Sequence, residues 1–159
     1  MKKQELLHRR QLLHPKEREN NRGVASPFRR LQGLKFQNLK NIKIPNSVTK
    51  IGHRAFFGCS NLRKVTIGNG VTEIGDNAFW NCTSLTSVTI PTSVTSIGDE
   101  AFEYCKSLKH LIIPKDVVKI GYSAFSGCSA LKSIVVDSSN MAYDSRENCN
   151  AIIHTESNT

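Results

Sequence analysis

Cysteine and histidine are the residue types in this chain best suited to chemistry, and their spacing decides what they can do. Four thiols, Cys59, Cys82, Cys105 and Cys128, recur at intervals of 23 residues, and Cys149 falls outside the series. Zinc sites use closely paired ligands such as Cys-x2-Cys, and no such pair occurs here. If 23 residues is a structural period, the four thiols sit in register on neighbouring coils. Their Cα atoms then come within disulfide range, but the side chains point the same way, which suits a bridge poorly. The reading favoured over disulfide or metal is that the four are buried and act as small apolar groups. Cys149 is the thiol left to react. The histidines His8, His14, His53, His110 and His154 share no spacing with one another or with a nucleophile or carboxylate pair. They read as solvent-facing polar residues. No catalytic residue, metal set or cofactor motif is legible, so the expectation is a chain that is not an enzyme.

The period extends far beyond the cysteines. Ile51 opens Ile-Gly-His-Arg-Ala-Phe-Phe-Gly-Cys-Ser-Asn-Leu-Arg-Lys-Val-Thr-Ile, and further copies open at Ile74, Ile97 and Ile120. The isoleucine, glycine, alanine, phenylalanine, cysteine and leucine columns are unbroken through all four. The phenylalanines are Phe56, Phe79, Phe102 and Phe125. Leu39, Ile42, Ile44, Pro45 and Val48 fit the second half of an earlier copy whose first half fails, with Gln32 and Gly33 in place of Ala and Phe. Terminal repeats are often atypical in this way.

Each column has a physical reason. Leu-x-x-Val-x-Ile puts Val and Ile on one face of a short strand, because side chains alternate. Pro45, Pro91 and Pro114 stop the strand, and Gly68 does so in the first full copy. A second short extended piece follows, such as Val71-Thr72-Glu73-Ile74. The glycine after each Ile permits a sharp turn or close backbone approach. Asp76 and Asp99 stand where a helix N-cap would, ahead of Ala-Phe-x-x-Cys, a segment with room for one helical turn. The predicted fold is a repeat solenoid: short parallel strands and one-turn helical segments per coil, in a right-handed stack. Coils spaced about 4.8 Å apart pile Phe over Phe and Cys over Cys into one core.

These residues resemble the leucine-rich-repeat family, and more narrowly its 23-residue variant in BspA-like bacterial surface proteins. The tail from Val136 to Asn140, with Tyr143, Asp144 and Asn148-Cys149-Asn150, also resembles a segment that recurs there. The resemblance implies export and adhesion to host proteins, glycans or other cells, with the chain continuing into further coils. It supplies no catalytic residue. Lys2 and Lys3 are not followed by an apolar stretch or a small-residue cleavage site, and neither an export signal nor an anchor is legible. No apolar run is long enough to span a membrane.

The organisation read from these patterns has three parts. Residues 1–27 form a basic flexible or helical arm. The solenoid runs over 28–142, with the degenerate repeat at 28–50 and full repeats at 51–73, 74–96, 97–119 and 120–142. Residues 143–159 form an incomplete coil or cap. The net charge of +9 is uneven. Residues 1–35 hold ten Lys and Arg against three Glu, including Arg9, Arg10, Lys16, Arg18 and Arg22. Leu6, Leu7, Leu12 and Leu13 give the arm a possible apolar side before Pro15. An arm of this kind can meet an anionic polymer or membrane. It lacks aromatic interleaving and any nucleic-acid-binding motif, so nucleic acid is not the expected partner.

The expected binding surface is the outward side of the long strands. Its candidate residues are Lys43, Arg63, Lys64, Thr66, Thr89, Lys109, His110, Ile112, Lys132 and Val135. The ligand expected there is a protein or a glycan, with an acidic one suited to the lysines. Two alternatives stay open: a structural spacer or fragment of a larger repeat protein with no ligand of its own, and a polyanion or membrane binder acting through the arm. Open solenoid ends also predict some self-association, since unpaired strand edges invite pairing.

Overall fold

The computed structural model describes residues 38–144 and the backbone of Ile153–His154. The arm, the first half of the degenerate repeat, and Cys149 lie outside the described residues.

The chain winds into coils of 23 residues, each contributing two strands. The long strands are β1 (Asn41–Lys43), β3 (Lys64–Thr66), β5 (Ser87–Thr89), β7 (His110–Ile113) and β9 (Ser133–Val136). The short ones are β2 (Lys50–Ile51), β4 (Glu73–Ile74), β6 (Ser96–Ile97) and β8 (Lys119–Ile120). Long strands pair in parallel as β1-β3-β5 and as β7-β9, and the short strands pair as β2-β4-β6-β8. The register is in phase throughout: Val65 lies opposite Ile42 and Val88, and Ile74 opposite Ile51 and Ile97. A last strand, β10 (Tyr143–Asp144), pairs antiparallel with β11 (Ile153–His154).

In-phase stacking turns each apolar column of the sequence into a continuous file. Phe56, Phe79, Phe102 and Phe125 stack with ring centroids 5.1, 5.0 and 5.7 Å apart and planes within 12° of parallel. These separations exceed a strand spacing slightly, as offset stacking requires. Phe79 and Phe102 are fully buried, while Phe125 on the outermost described full coil is half-buried. Leu62, Leu85 and Leu108 fill a second file, and Ile51, Ile74 and Ile97 a third, all sealed from solvent.

The Ala-Phe-x-x-Cys segments are not helical, contrary to the sequence expectation. Each is a run of turns in which alternate N–H groups point different ways. The N–H of Ala78 and Trp80 bond within the coil, to Gly75 O and Asn77 O. The N–H of Asn77, Phe79 and Asn81 bond across, to Asp99 O, Ala101 O and Glu103 O of the next coil at 2.7–2.8 Å. Two left-handed residues per coil enforce this. Arg54, Asn77, Glu100 and Ser123 hold one column with φ of 52–55°, and Gly58, Asn81, Tyr104 and Gly127 hold another with φ of 56–69°. Left-handed residues four apart cannot propagate an α-helix. Asp76 and Asp99 accordingly cap no helix. Their Oδ1 atoms accept the backbone N–H of Asp99 and Tyr122, one coil on, at 3.0 and 2.8 Å.

The glycine column serves close approach. A Cβ on Gly121 would lie 2.4 Å from Asp99 N and 2.5 Å from Gly98 C, so the coils can touch there only without a side chain.

Candidate functional site

The two long-strand sheets set every second side chain outward from ladders of backbone bonds. On β1, Ile42 points into the core while Asn41 and Lys43 face solvent. On β3, Val65 points inward, Lys64 is exposed and Thr66 is half-exposed. The same order on β5 exposes Ser87 and Thr89. On β7, His110 and Ile112 are exposed between buried Leu111 and Ile113. On β9, Val135 is exposed. Just before the strands, Lys40, Arg63, Thr86, Lys109 and Lys132 form a third exposed column.

The ten candidate residues are therefore on one surface, arranged in columns along the stack. Lys43, Thr66 and Thr89 lie side by side across β1, β3 and β5. Ile112 and Val135 adjoin across β7 and β9 and are 64% and 50% exposed, an apolar step at one end of a polar column. His110 Nδ1 shares a hydrogen bond with Ser133 Oγ at 2.8 Å. The Thr86 hydroxyl donates to Arg63 O at 3.0 Å, which ties two rungs together.

Charge is segregated around the coil. The three outward columns hold Lys40, Lys43, Arg63, Lys64, Lys109 and Lys132, and no Asp or Glu. Glu73 lies on a short strand, Asp116, Asp137 and Asp144 lie elsewhere, and Asp76, Asp99, Glu100 and Glu103 lie on the turn segments. There they bond to neighbouring coils: Asn77 Nδ2 donates to Glu100 Oε2 at 2.8 Å, and Trp80 Nε1 donates to Glu103 Oε2 at 3.0 Å. Arg54 Nε donates to Asn77 Oδ1 at 3.3 Å, so an amide links a guanidinium to a carboxylate two coils away. Among the described residues, the short-strand side has one ion pair, Lys50 with Glu73 at 2.5 Å. Both partners are well exposed, so the pair contributes little to stability.

The four described cysteines lie in the core, away from this face. Cys59, Cys82, Cys105 and Cys128 are free thiols in the buried interior. Cys82, Cys105 and Cys128 donate Sγ–H to the carbonyls of Phe56, Phe79 and Phe102 at 3.2–3.3 Å. Hydrogen bonding to Cys59, and then burial, pushes the Cys82 thiol well above its ordinary value. The bond shared by Cys105 and Cys128 pushes Cys105 up, helped by burial, and holds Cys128 down. Cys82 and Cys105, held protonated, are poorly suited to act as nucleophiles or metal ligands. Among the described residues, no group of three His, Cys, Asp or Glu side chains is placed to hold a metal ion.

Two features escape a column-by-column reading of the sequence. Phe57 and Trp80 stack at 4.5 Å on the outer side of the turns, Arg54 sits 5.1 Å from the Phe57 centroid, and Tyr104 meets Trp80 edge-on at 5.8 Å. Tyr104 stands one column away from the others, so alignment at a strict 23-residue offset hides it. The second feature is Asn140, which replaces the buried valine of Val48, Val71, Val94 and Val117. Reading that column one coil further would have shown a polar residue in a core position.

The model of the BspA-type leucine-rich repeat region matches residues 34–152, as six copies. The chain belongs to the BspA-type leucine-rich repeat family. Solved structures agree. The leucine-rich repeat protein of Treponema pallidum is 37% identical, with a TM-score of 0.58 over 59% of this chain and 44% of its own. One from Bacteroides ovatus is 39% identical, with a TM-score of 0.60 over 65% of this chain and 26% of its own. One from Bacteroides capillosus is 32% identical, with a TM-score of 0.57 over 61% of this chain and 76% of its own. The chain thus spans less than half the length of the first two. No curated protein matches it. No helix among the described residues is long and apolar enough to cross a membrane.

Proposed function

We propose that this BspA-type repeat is a non-catalytic recognition module that takes a protein or glycan ligand on its outward strand face, for adhesion at a bacterial surface. The observation that carries the reading is the composition of that face: six cations, no acid and an apolar step, all exposed on or just before the long strands. Core packing does not need cations gathered on one side and acids excluded from it. Family membership supports a bacterial recognition role, because the similar solved structures are leucine-rich repeat proteins of bacteria.

The sheet preorganises the face. Side chains mounted on paired strands lose little backbone freedom on binding, which favours affinity. No bond is broken or formed in this function, so the face needs only shape and charge.

The test is a screen of the full chain against arrayed proteins and glycans, repeated with Lys43→Glu, Lys64→Glu and Lys109→Glu combined. Ligands captured by the parent are expected to be lost by the variant at unchanged melting temperature. Capture that survives the charge reversal removes the strand face as the site.

A further inference from the structure

Resting on that reading, we propose that the strand face seats a single acidic polysaccharide chain lying along the solenoid axis. Dimensions come first. The face is four residues wide, from the Lys40 column to the Lys43 column, and five rungs long. At about 3.3 Å per residue and about 4.8 Å per rung the described part of it is roughly 10 Å wide and 19 Å long. A stable protein partner is anchored on aromatic residues or arginine at the centre of its interface. This face has no aromatic residue, and Arg63 is its only arginine. Without such anchors it suits a folded partner poorly, and its width matches one extended chain.

Charge identifies that chain as a polyanion. The column Lys40, Arg63, Thr86, Lys109, Lys132 sets two pairs of cations on either side of one threonine. Within a pair the charges are one rung apart, about 4.8 Å, and across the threonine two rungs, about 9.6 Å. Lys43 and Lys64 flank the first pair from the parallel columns. A linear polymer carrying carboxylate or sulfate groups at regular intervals meets this row along its whole length. The repulsive element is as telling as the attractive one, since the face holds no carboxylate to oppose such a chain.

The remaining side chains fit sugar better than nucleic acid. Single-stranded nucleic acid is held by aromatic platforms on which bases stack, and none is present. Ile112 and Val135 instead offer a low aliphatic ledge at the opposite edge of the face from Lys109 and Lys132, suited to the C–H side of a pyranose. Thr66, Thr89, and the His110–Ser133 pair supply hydrogen-bonding groups for hydroxyls.

The experiment uses the full chain with immobilised heparin oligosaccharides and hyaluronan as probes, in graded salt. Two variants lose equal charge: Arg63→Gln with Lys109→Gln on the strand face, and Lys115→Gln with Lys119→Gln on the short-strand side. A third, Arg9→Gln with Arg10→Gln, weakens the arm. The strand-face variant is expected to bind about ten-fold more weakly, with a shallower salt dependence, while the other two change affinity less than about two-fold. Circular dichroism melts confirm that all three fold alike. Equal losses in all three variants, or loss only in the arm variant, overturn the proposal. So does a poly-glutamate peptide or a DNA duplex that binds more tightly than either glycan. Failure of both glycans, with strand-face reversal still abolishing capture of some other arrayed ligand, sinks the polysaccharide assignment and leaves the recognition reading standing.

Discussion

The Tyr143 hydroxyl accepts the backbone N–H of Ile120 at 3.0 Å, from a position one coil further along the isoleucine column. A side chain thereby takes the bond that a strand would otherwise receive. Beside it, Asn140 is buried and uses its whole amide. Its Nδ2 donates to Pro114 O and Val117 O, and its Oδ1 accepts the N–H of Ala142 and Tyr143, all at 2.8–2.9 Å. Together they turn the chain out of the parallel stack and into the antiparallel pair β10–β11.

Asn140→Ala strips partners from two carbonyls and two N–H groups that face the interior. The expected loss is about 2–4 kcal/mol, since each buried group left unpaired costs about 1–3 kcal/mol and some regain water. Tyr143→Phe loses one bond and about 1 kcal/mol. Urea unfolding followed by the single tryptophan, Trp80, reads both. A neutral Asn140→Ala would show that this amide does not hold the turn.

Ser123 has φ of 52°. Left-handed geometry costs a residue with a Cβ about 1–2 kcal/mol, and glycine repays part of that through the flexibility of the unfolded chain. Ser123→Gly is expected to stabilise the fold by about 0.5–1 kcal/mol. Gly127→Ala goes the other way, because φ is 69° and the new Cβ would lie 2.4 Å from Tyr104 Cδ1. Thermal melts that shift in the same direction for both variants would contradict the account of why these segments are turns.

The thiols predict alkaline sensitivity. Cys82 and Cys105 hold their protons more tightly in the folded chain than in the unfolded one. Their contribution is complete below the ordinary thiol range and is lost as pH rises through that range toward the raised folded values. Above about pH 9 each such thiol steepens the fall in stability by about 1.4 kcal/mol per pH unit. Cys105→Ala starts less stable, from the lost packing, yet should decline less steeply between pH 8 and 11 in denaturant titrations. Parallel slopes for parent and variant would mean that Cys105 does not couple folding to pH.

Most of this architecture was legible because one period governs it. Once Phe56, Phe79, Phe102 and Phe125 were aligned, in-phase stacking and the outward columns followed from strand alternation alone. The turn conformation did not follow. Ala-Phe-x-x-Cys has the composition of a helical turn, and Asp76 and Asp99 sit at cap positions. What decides otherwise is the next coil, whose carbonyls outcompete a short helix for the N–H groups of Asn77, Phe79 and Asn81. A residue such as Glu100 or Tyr104 carries no local mark of a positive φ. The Asn140 turn was hidden for a related reason: its amide is explained by carbonyls of Pro114 and Val117, which only the fold brings near. The candidate face, and the lack of acids on it, follow from alternation and the 23-residue period alone.

With six cations and no acid, against five cations and eight acids over the rest of the described residues, the strand face is the positive end of a charge asymmetry across the stack. In the field of a negatively charged surface the molecule would swing round before it touches. Such pre-alignment raises the fraction of encounters that are productive and fades as ionic strength rises. Capture from dilute solution would then be governed by arrival, and would be fastest in brackish or low-salt surroundings.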